Sequence, residues 1–324
     1  MPDPLTVEGV ESLQALLARG GLAVTVTQLA RGRLGGDLLA LQLGPLQLLR
    51  IRLDRAIHCA GPKPAERQLV SLDLARSPND HATSAAAIRS HGQPLLPRAL
   101  FGLSASGEIH LTTFGRCDLA LLIIERREFL RRAERLGCPV LEEVLARNWL
   151  AVEPVRFSRL RRYLHQLLGA LEAAPTLQQV SGFEALVSGD LIPLVLEALV
   201  HGWDGASRLA RAPSRIELVK AAQHWMEAHP GQPIQLEGLC REVHTSRRSL
   251  IQGFREHLGM GPMTYLRLQR LHGIRRNLLE AEPDQTTIGA LATAWGFLNP
   301  GHFARQYAEL FGERPSDTLA SNRK

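Results

Sequence analysis

Lysine is nearly absent from this 324-residue chain. Only three lysines occur among 38 basic side chains, so almost all of the positive charge is arginine. A guanidinium binds phosphate or guanine through two parallel hydrogen bonds, which an ammonium cannot do. The formal net charge of +6 is compatible with a polyanionic partner. Neither the charge nor the arginine bias identifies that partner without a motif.

Cysteine is also scarce, at Cys59, Cys117, Cys138 and Cys240. A disulfide framework or a zinc site normally shows closer spacing, so we expect four reduced and mostly buried thiols. The twelve histidines include no His-x-His or His-x-x-x-His pair. The sequence therefore predicts no metal site and no cofactor.

Long apolar runs are missing as well. No run approaches the ~18 residues that a membrane helix needs. The first residues, Met1–Glu8, lack the basic and then apolar layout of a signal peptide. We expect a cytoplasmic protein that does not contact the membrane.

Residues 1–140 are predicted to be rich in β-strands. Short apolar segments alternate with Gly, Ser, Asn and Pro, and Gly44-Pro45 separates two of them as a hairpin turn. The predicted strands are Ala23–Leu29, Leu38–Leu43, Leu46–Leu53, Gln68–Leu74, Ala99–Leu103, Glu108–Phe114 and Asp118–Ile124. Their spacing favours a small antiparallel barrel or sandwich. Ser77–Pro97 is predicted to be a loop with at most one helical turn.

Helical periodicity begins at Arg126–Leu136. Residues 141–205 are predicted to form a helical dimerisation or linking region, because Phe157–Leu171 and Phe183–Val200 carry apolar stripes. Such stripes either pack within the chain or form a dimer seam. Since symmetric dimers are the commonest oligomers, we predict a homodimer. Gly202–Pro213 is predicted to be an interdomain linker.

The region from Leu236 to Phe254 has the pattern of a helix-turn-helix. A short apolar helix is followed by Thr245-Ser246, which would cap a second helix starting at Arg247. The outward face of that second helix is predicted to present Arg247, Arg248, Ile251, Gln252 and Arg255. Arg can bind guanine, Gln can bind adenine, and Ile can contact a thymine methyl group. We expect Arg248 and Gln252 to reach base edges, and Arg247 and Arg255 to bind phosphate. The alternative is a solvated charged face.

A second helix-turn-helix pattern covers Thr287 to Tyr307. Asn299 is a good N-cap and Pro300 suits the first helical position. The outward side chains are predicted to be His302, Arg305 and Gln306. Because Pro300 and Gly301 carry no base-reading group, we expect this unit to contact mainly the DNA backbone.

Pro262–Glu280 is predicted to be one helix joining the two units. Its 19 residues would span roughly 28 Å. Successive major-groove segments on one face of B-DNA lie about 34–36 Å apart, so one chain could place two recognition helices in adjacent segments. Leu271, Ile274 and Leu278 recur on one face and are expected to fix the two units relative to each other.

The motif residues resemble a known family. The runs Thr287-Ile-x-x-Leu-Ala-x-x-Trp-Gly-Phe and His302-Phe-x-Arg-x-Tyr-x-x-Leu-Phe-Gly-x-x-Pro resemble the AraC/XylS family of transcription regulators. Ser246-x-x-x-Leu and Gly259-x-x-Pro-x-x-Tyr-Leu also fit, and Leu-Cys-Arg-Glu and Gly-Met-Gly-Pro resemble the branch of ethanolamine operon regulators. The resemblance implies an effector-binding, often dimerising, N-terminal domain with a cupin-like barrel, and RNA polymerase as a partner.

We therefore predict an α+β protein. It comprises a β-rich, cupin-like effector domain (1–140), a helical region (141–205) and an all-α domain with two helix-turn-helix units (213–324). The predicted function is that of a sequence-specific regulator, an activator, that binds double-stranded promoter DNA and a small-molecule effector.

Two alternatives remain open. The first is a ligand-independent regulator whose N-terminal domain contacts proteins. The second is an enzyme with a DNA-binding appendage, in which His58, Arg67 and Asp73 could line a pocket. The chain has no phosphate-binding Gly-rich loop and no Gly-x-Ser-x-Gly, so we do not expect an enzyme.

Overall fold

The N-terminal part of the computed structural model is built on antiparallel strands, and the C-terminal part is helical. Residues 4–75, 88–104, 107–138, 141–201, 215–281 and 287–321 are described. The strands are β1 (Leu5–Glu8), β2 (Thr25–Gln28), β3 (Gly35–Leu43), β4 (Leu46–Leu53), β5 (Ile57–Pro62), β6 (Arg67–Asp73), β7 (Ile88–Ser90), β8 (Gln93–Pro94), β9 (Ala99–Phe101), β10 (Glu108–Thr113), β11 (Cys117–Glu125) and β12 (Trp149–Ala151).

The helices belong to two groups. Those of the N-terminal part are α1 (Val10–Arg19), α2 (Arg126–Arg135), α3 (Leu141–Leu145), α4 (Pro154–Ala173) and α5 (Phe183–His201), with a 3-10 turn at Pro175–Gln179. Those of the C-terminal part are α6 (Ile216–Ala228), α7 (Leu236–Glu242), α8 (Arg247–Leu258), α9 (Pro262–Glu280), α10 (Ile288–Ala294), α11 (Pro300–Phe311) and α12 (Pro315–Ser321). The predicted linker Gly202–Pro213 lies outside the described residues.

Two sheets form the N-terminal unit, residues 4–201. One has the strand order β1-β3-β4-β11-β6-β9-β12, and the other has the order β2-β5-β10-β7-β8. The predicted hairpin is confirmed: Leu43 pairs with Leu46, and Gly44 adopts a positive φ of 62°. Antiparallel pairing is confirmed for the described strands, while a closed cupin-like barrel remains a prediction.

The predicted loop Ser77–Pro97 was partly wrong. Residues 76–87 of that stretch lie outside the description, but Ile88–Ser90 and Gln93–Pro94 are strands. His91 and Gly92 form the turn between them, both with positive φ. Sequence reading missed these strands because they are only three and two residues long. It also missed β5, in which His58 and Gly61 interrupt the apolar pattern.

The apolar stripes of α4 and α5 are buried within the chain. Leu160, Leu164, Leu191 and Val195 have no exposed surface and pack with strand residues such as Leu41 in one core. The predicted dimer seam is therefore occupied by intramolecular packing. The stripes were read correctly as buried faces, but they no longer argue for a homodimer.

The C-terminal helices have two separate small cores. One gathers α6, α7, α8 and the start of α9, and the other gathers the rest of α9 with α10, α11 and α12. Leu271, Ile274 and Leu278 all belong to the second core, so the expectation that they join the two units was wrong. The start of α9, at Tyr265 and Leu266, supplies the first core. The connection is the continuous helix itself.

No helix among the described residues is long and apolar enough to cross a membrane.

Candidate DNA-binding interface

Helices α7 and α8 form the first helix pair (residues 236–258). The side-chain oxygen of Ser246 caps α8 by accepting a hydrogen bond from the backbone N–H of Ser249 at 3.1 Å. His244 in the turn has a positive φ of 49°, and Gly259 ends α8 in the left-handed conformation. Leu250 and Phe254 are buried in the first core, which orients the opposite face of α8 outward.

That outward face carries the predicted reading residues. Arg247, Arg248, Gln252 and Arg255 are exposed, and Ile251 is half-buried. Gln252 donates a hydrogen bond to Glu256 at 2.8 Å, and Arg247 lies 3.3 Å from Glu237. These exposed contacts are weak in solvent, so DNA can replace them at little cost.

Helices α10 and α11 form the second helix pair (residues 288–311). The side chain of Asn299 accepts a hydrogen bond from the backbone N–H of His302 at 2.9 Å, with Pro300 at the first helical position. His302 and Arg305 are exposed and Gln306 is half-buried. The amide nitrogen of Gln306 lies 3.1 Å from Nε2 of His302, so the two side chains contact each other along one face.

The five-stranded sheet contacts both helix pairs at the C-terminal ends of α8 and α11. Arg89 on β7 donates hydrogen bonds to the carbonyl oxygens of Arg255, at 3.3 Å, and Glu256. Phe114 packs against Gly259 so closely that a Cβ there would lie 2.6 Å from its ring. These contacts hold the end of α8 and leave its first turns facing away from the sheet.

The second pair is held by a different set of groups. The side chain of Gln28 on β2 donates to the carbonyl oxygen of Leu310 at 2.8 Å, and its backbone N–H donates to Nε2 of His272 at 3.0 Å. Arg275 on α9 forms ion pairs with Glu11 at 3.1 Å and with Glu313. The side chain of Arg275 is only 11% exposed, and the two carboxylates raise its pKa above the ordinary arginine value.

Two adjoining clefts of about 680 Å³ and 390 Å³ lie between the sheet and helices α6 and α9. Both are lined by Thr25, Thr27 and Glu227, so they form one groove between the N-terminal and C-terminal parts. His58 lines the larger cleft, whereas Arg67 and Asp73 do not. The proposed grouping of these three residues was therefore wrong.

Four histidines lie together where this sheet meets the first helix pair. The ring of His110 on β10 lies 4.4 Å from His58, 6.0 Å from His91 and 6.2 Å from His257 on α8, between ring centres. Burial lowers the pKa of His91 to about 3 and those of His110 and His257 to about 4, and it lowers the pKa of His58 well below its ordinary value. We call this group the histidine cluster.

Sequence reading missed the histidine cluster. Its members are separated by up to 199 positions along the chain, and they come from β5, β7–β8, β10 and α8. Gln28 and Gln223, which join the two parts, were missed for the same reason. No local signal marks these residues, because a single sequence does not show which polar side chains are buried.

Parts of the chain match known proteins. A family described as a helix-turn-helix domain matches residues 239–321. The "Probable thc operon regulatory protein" of Rhodococcus erythropolis is 33% identical over 62% of this chain and 60% of its own length. The "XylDLEGF operon transcriptional activator" of Pseudomonas putida is 37% identical over 31% of each chain. The chain thus spans about a third to three fifths of these relatives.

A solved structure matches a third of this chain. It is described as a probable AraC family transcriptional regulator from Rhodopseudomonas palustris, with 36% identity over 33% of this chain and 99% of that one, at a TM-score of 0.31. The family match begins within α7 and extends through α11. Residues 239–321 of this chain match a helix-turn-helix domain, and the chain is similar to regulators of bacterial operons.

Proposed function

We propose that this protein is a sequence-specific DNA-binding transcription regulator, an activator, that reads promoter DNA with both helix pairs. The observation that carries the proposal is the shared orientation of α8 and α11. Each helix is held at its C-terminal end by the N-terminal unit, and each exposes its first turns. Recognition helices contact base edges mainly through those first turns.

The two helix pairs are proposed to have different roles, base reading for the first and backbone contact for the second. Arg248 and Gln252 on α8 offer hydrogen-bonding groups that can pair with guanine and adenine edges, with Ile251 beside them for a thymine methyl group. Arg247 and Arg255 are assigned to phosphates. On α11, His302, Arg305 and Gln306 are assigned mainly to the DNA backbone, since Pro300 and Gly301 offer no base-reading group.

The N-terminal residues 1–140 are proposed to sense a small molecule, residues 141–205 to link the two parts, and residues 213–324 to bind DNA. The groove beside the five-stranded sheet supports this, because a ligand there would touch the strands and α6 and α9 together. The runner-up is a ligand-independent regulator with a protein-binding N-terminal unit. As an activator, the protein is proposed to contact RNA polymerase. We also propose that it belongs to the branch of ethanolamine operon regulators.

Selection of bound fragments from genomic DNA, using the full chain, tests DNA reading. We expect enrichment of fragments that share one motif, and we expect Arg248→Ala to reduce binding to that motif. The matched control is Arg162→Ala, which removes one exposed positive charge from α4, a helix of the N-terminal unit. Recovery of fragments without a shared motif would contradict sequence-specific reading. Thermal-shift screening of the full chain against small molecules then separates the ligand-dependent from the ligand-independent regulator.

A further inference from the structure

We propose that the histidine cluster is a proton-sensitive latch between the N-terminal unit and the first helix pair. The docked arrangement requires neutral imidazole rings, and mild acid releases the first helix pair from the sheet. This rests on the proposed function only for its effect on DNA binding, since docking itself can be measured without DNA.

The rings are packed for the neutral state. Nε2 of His110 lies 3.1 Å from the side-chain oxygen of Gln223 on α6, and the nitrogen of the same amide lies 3.3 Å from Nε2 of His58. If the Gln223 amide accepts from His110 and donates to His58, Nε2 of His58 must be unprotonated. Nδ1 of His58 then donates to Thr112 at 3.0 Å. Adding a proton at Nε2 of His58 would break the bond that joins β5 to α6.

Within the described ranges, the ring of His257 has no hydrogen-bond acceptor for the second N–H that protonation would add. It has no exposed surface, and neither ring nitrogen has a hydrogen-bond partner among the described residues. Nδ1 of His110 is likewise buried without a partner in the described part. Gly92 presses against the His257 ring, where a Cβ would lie 1.9 Å from it. A charged imidazolium left unpaired at such a site is strongly disfavoured.

Charged groups around the cluster do not offset that cost. The cations that face it, from three elements or their flanks, are Lys63, Arg89, Arg215 and Lys220. The anions are Glu108, Glu217 and Glu256, while Tyr265 is a neutral neighbour whose pKa is raised to about 12 by burial. Each anion is already engaged: Glu256 with Arg215 at 3.0 Å, and the other two with Lys220 at 3.5 and 3.4 Å.

The direction of the pH effect follows from the lowered pKa values. A histidine that is exposed in the released state titrates near 6.5 and stays neutral in the docked state down to about 4. Docking is therefore favoured above about pH 6.5 and weakens as the pH falls from there towards 4. Between pH 7.5 and 5.5, each such histidine shifts the docking equilibrium about tenfold towards release.

Release should alter DNA binding because the sheet holds both helix pairs. Arg89 and Phe114 contact the end of α8, while Gln28 contacts the end of α11. Losing the first set leaves the two recognition helices connected only through α9. We expect mild acid to weaken binding to a two-segment DNA site more than binding to a half-site.

Small-angle scattering of the full chain between pH 7.5 and 5.5, with a chelator present, tests the latch. We expect the radius of gyration to increase reversibly as the pH falls, while far-UV circular dichroism stays constant. His257→Leu removes a ring without hydrogen-bond partners, so it should fold, stay docked, and shift the opening midpoint to lower pH. The double variant His257→Leu/His110→Gln should shift it further.

The matched control is His165→Gln on α4, which removes an exposed histidine outside the cluster. It should open at the same pH as the wild-type chain. A wild-type radius that does not change down to pH 5.5, or an equal shift in control and cluster variants, would overturn the latch. If the wild-type chain bound no DNA at pH 7.5, the proposed function would fail while the scattering result still decided the latch.

Discussion

The two helix pairs have the same arrangement of a short helix and a capped second helix, but they differ in the groups that hold them against the N-terminal unit. The first pair contacts the sheet at the histidine cluster and through hydrogen bonds that Arg89 donates to backbone carbonyls, and the Gln223 amide joins the adjoining helix α6 to two of the rings. The second docks through a buried ion-pair network centred on Arg275, with a second ion pair between Arg31 and Glu309. The same fold can therefore be made sensitive to protons at one end and depend on charge pairing at the other.

The recognition helices differ in a parallel way. Helix α8 begins with Arg247 and Arg248 after a serine cap, whereas α11 begins with Pro300 and Gly301 after an asparagine cap. Arginine can distinguish bases, while proline and glycine cannot. The comparison assigns base reading to the first pair and positioning to the second.

The largest effect is expected in the second core. Ile274 is fully buried, so Ile274→Asp places an unpaired carboxylate among apolar side chains and should destabilise the C-terminal helices by several kcal/mol. Chemical denaturation followed by circular dichroism measures the loss. Val155→Asp introduces the same charge at a 73% exposed position and should change stability little. Equal stability of the two variants would contradict the assigned core.

The ion pairs of the second helix pair give the next largest effect. Arg275→Met leaves Glu11 and Glu313 without their cation in a site that is mostly removed from solvent, and should cost about 3 kcal/mol of unfolding free energy. The exposed pair Arg33–Glu8 provides the contrast, since Arg33→Ala should cost less than about 1 kcal/mol. Comparable losses in both variants would show that Arg275 is not buried in solution.

Base reading by the first pair gives a smaller effect. Arg248→Ala should weaken binding to the selected site by ~1–3 kcal/mol and relax the preference at one base position. Fluorescence anisotropy with single-base variants of the site measures both. An equal loss on specific and random DNA would instead make Arg248 a phosphate contact.

The smallest effect is expected for the second pair. Arg305→Ala should weaken binding by a similar factor on all sequences and reduce the slope of log affinity against log salt by about 1. Titrations at several salt concentrations provide the slope. A loss of affinity for Arg305→Ala that depends on the base sequence would contradict the assignment of Arg305 to the DNA backbone.

Local structure was predictable where the signal lies within one segment. The bounds of α9 and the first residue of α8 were predicted correctly, and the caps Ser246 and Asn299 were identified. Helix periodicity and capping depend on residues a few positions apart, so one sequence carries them. The reading faces were predicted for the same reason, although their contacts with DNA remain proposals.

The predictions that were wrong concern contacts between segments that are distant in the sequence. The leucine stripes of α4 and α5 were identified, but the partner that covers them is a sheet in the same chain rather than a second copy. The face of α9 was identified, yet it serves one core and not both. The histidine cluster could not be found at all, because nothing local places His58, His110 and His257 together.

The central claim is that one chain presents two recognition helices to one face of DNA. Hydroxyl-radical footprinting of the full chain on its selected site tests it most directly. The account predicts two protected segments about one helical turn apart, with Arg248→Ala weakening the pattern most at the segment read by α8. A single protected segment, or two that do not lie on the same face, would contradict it.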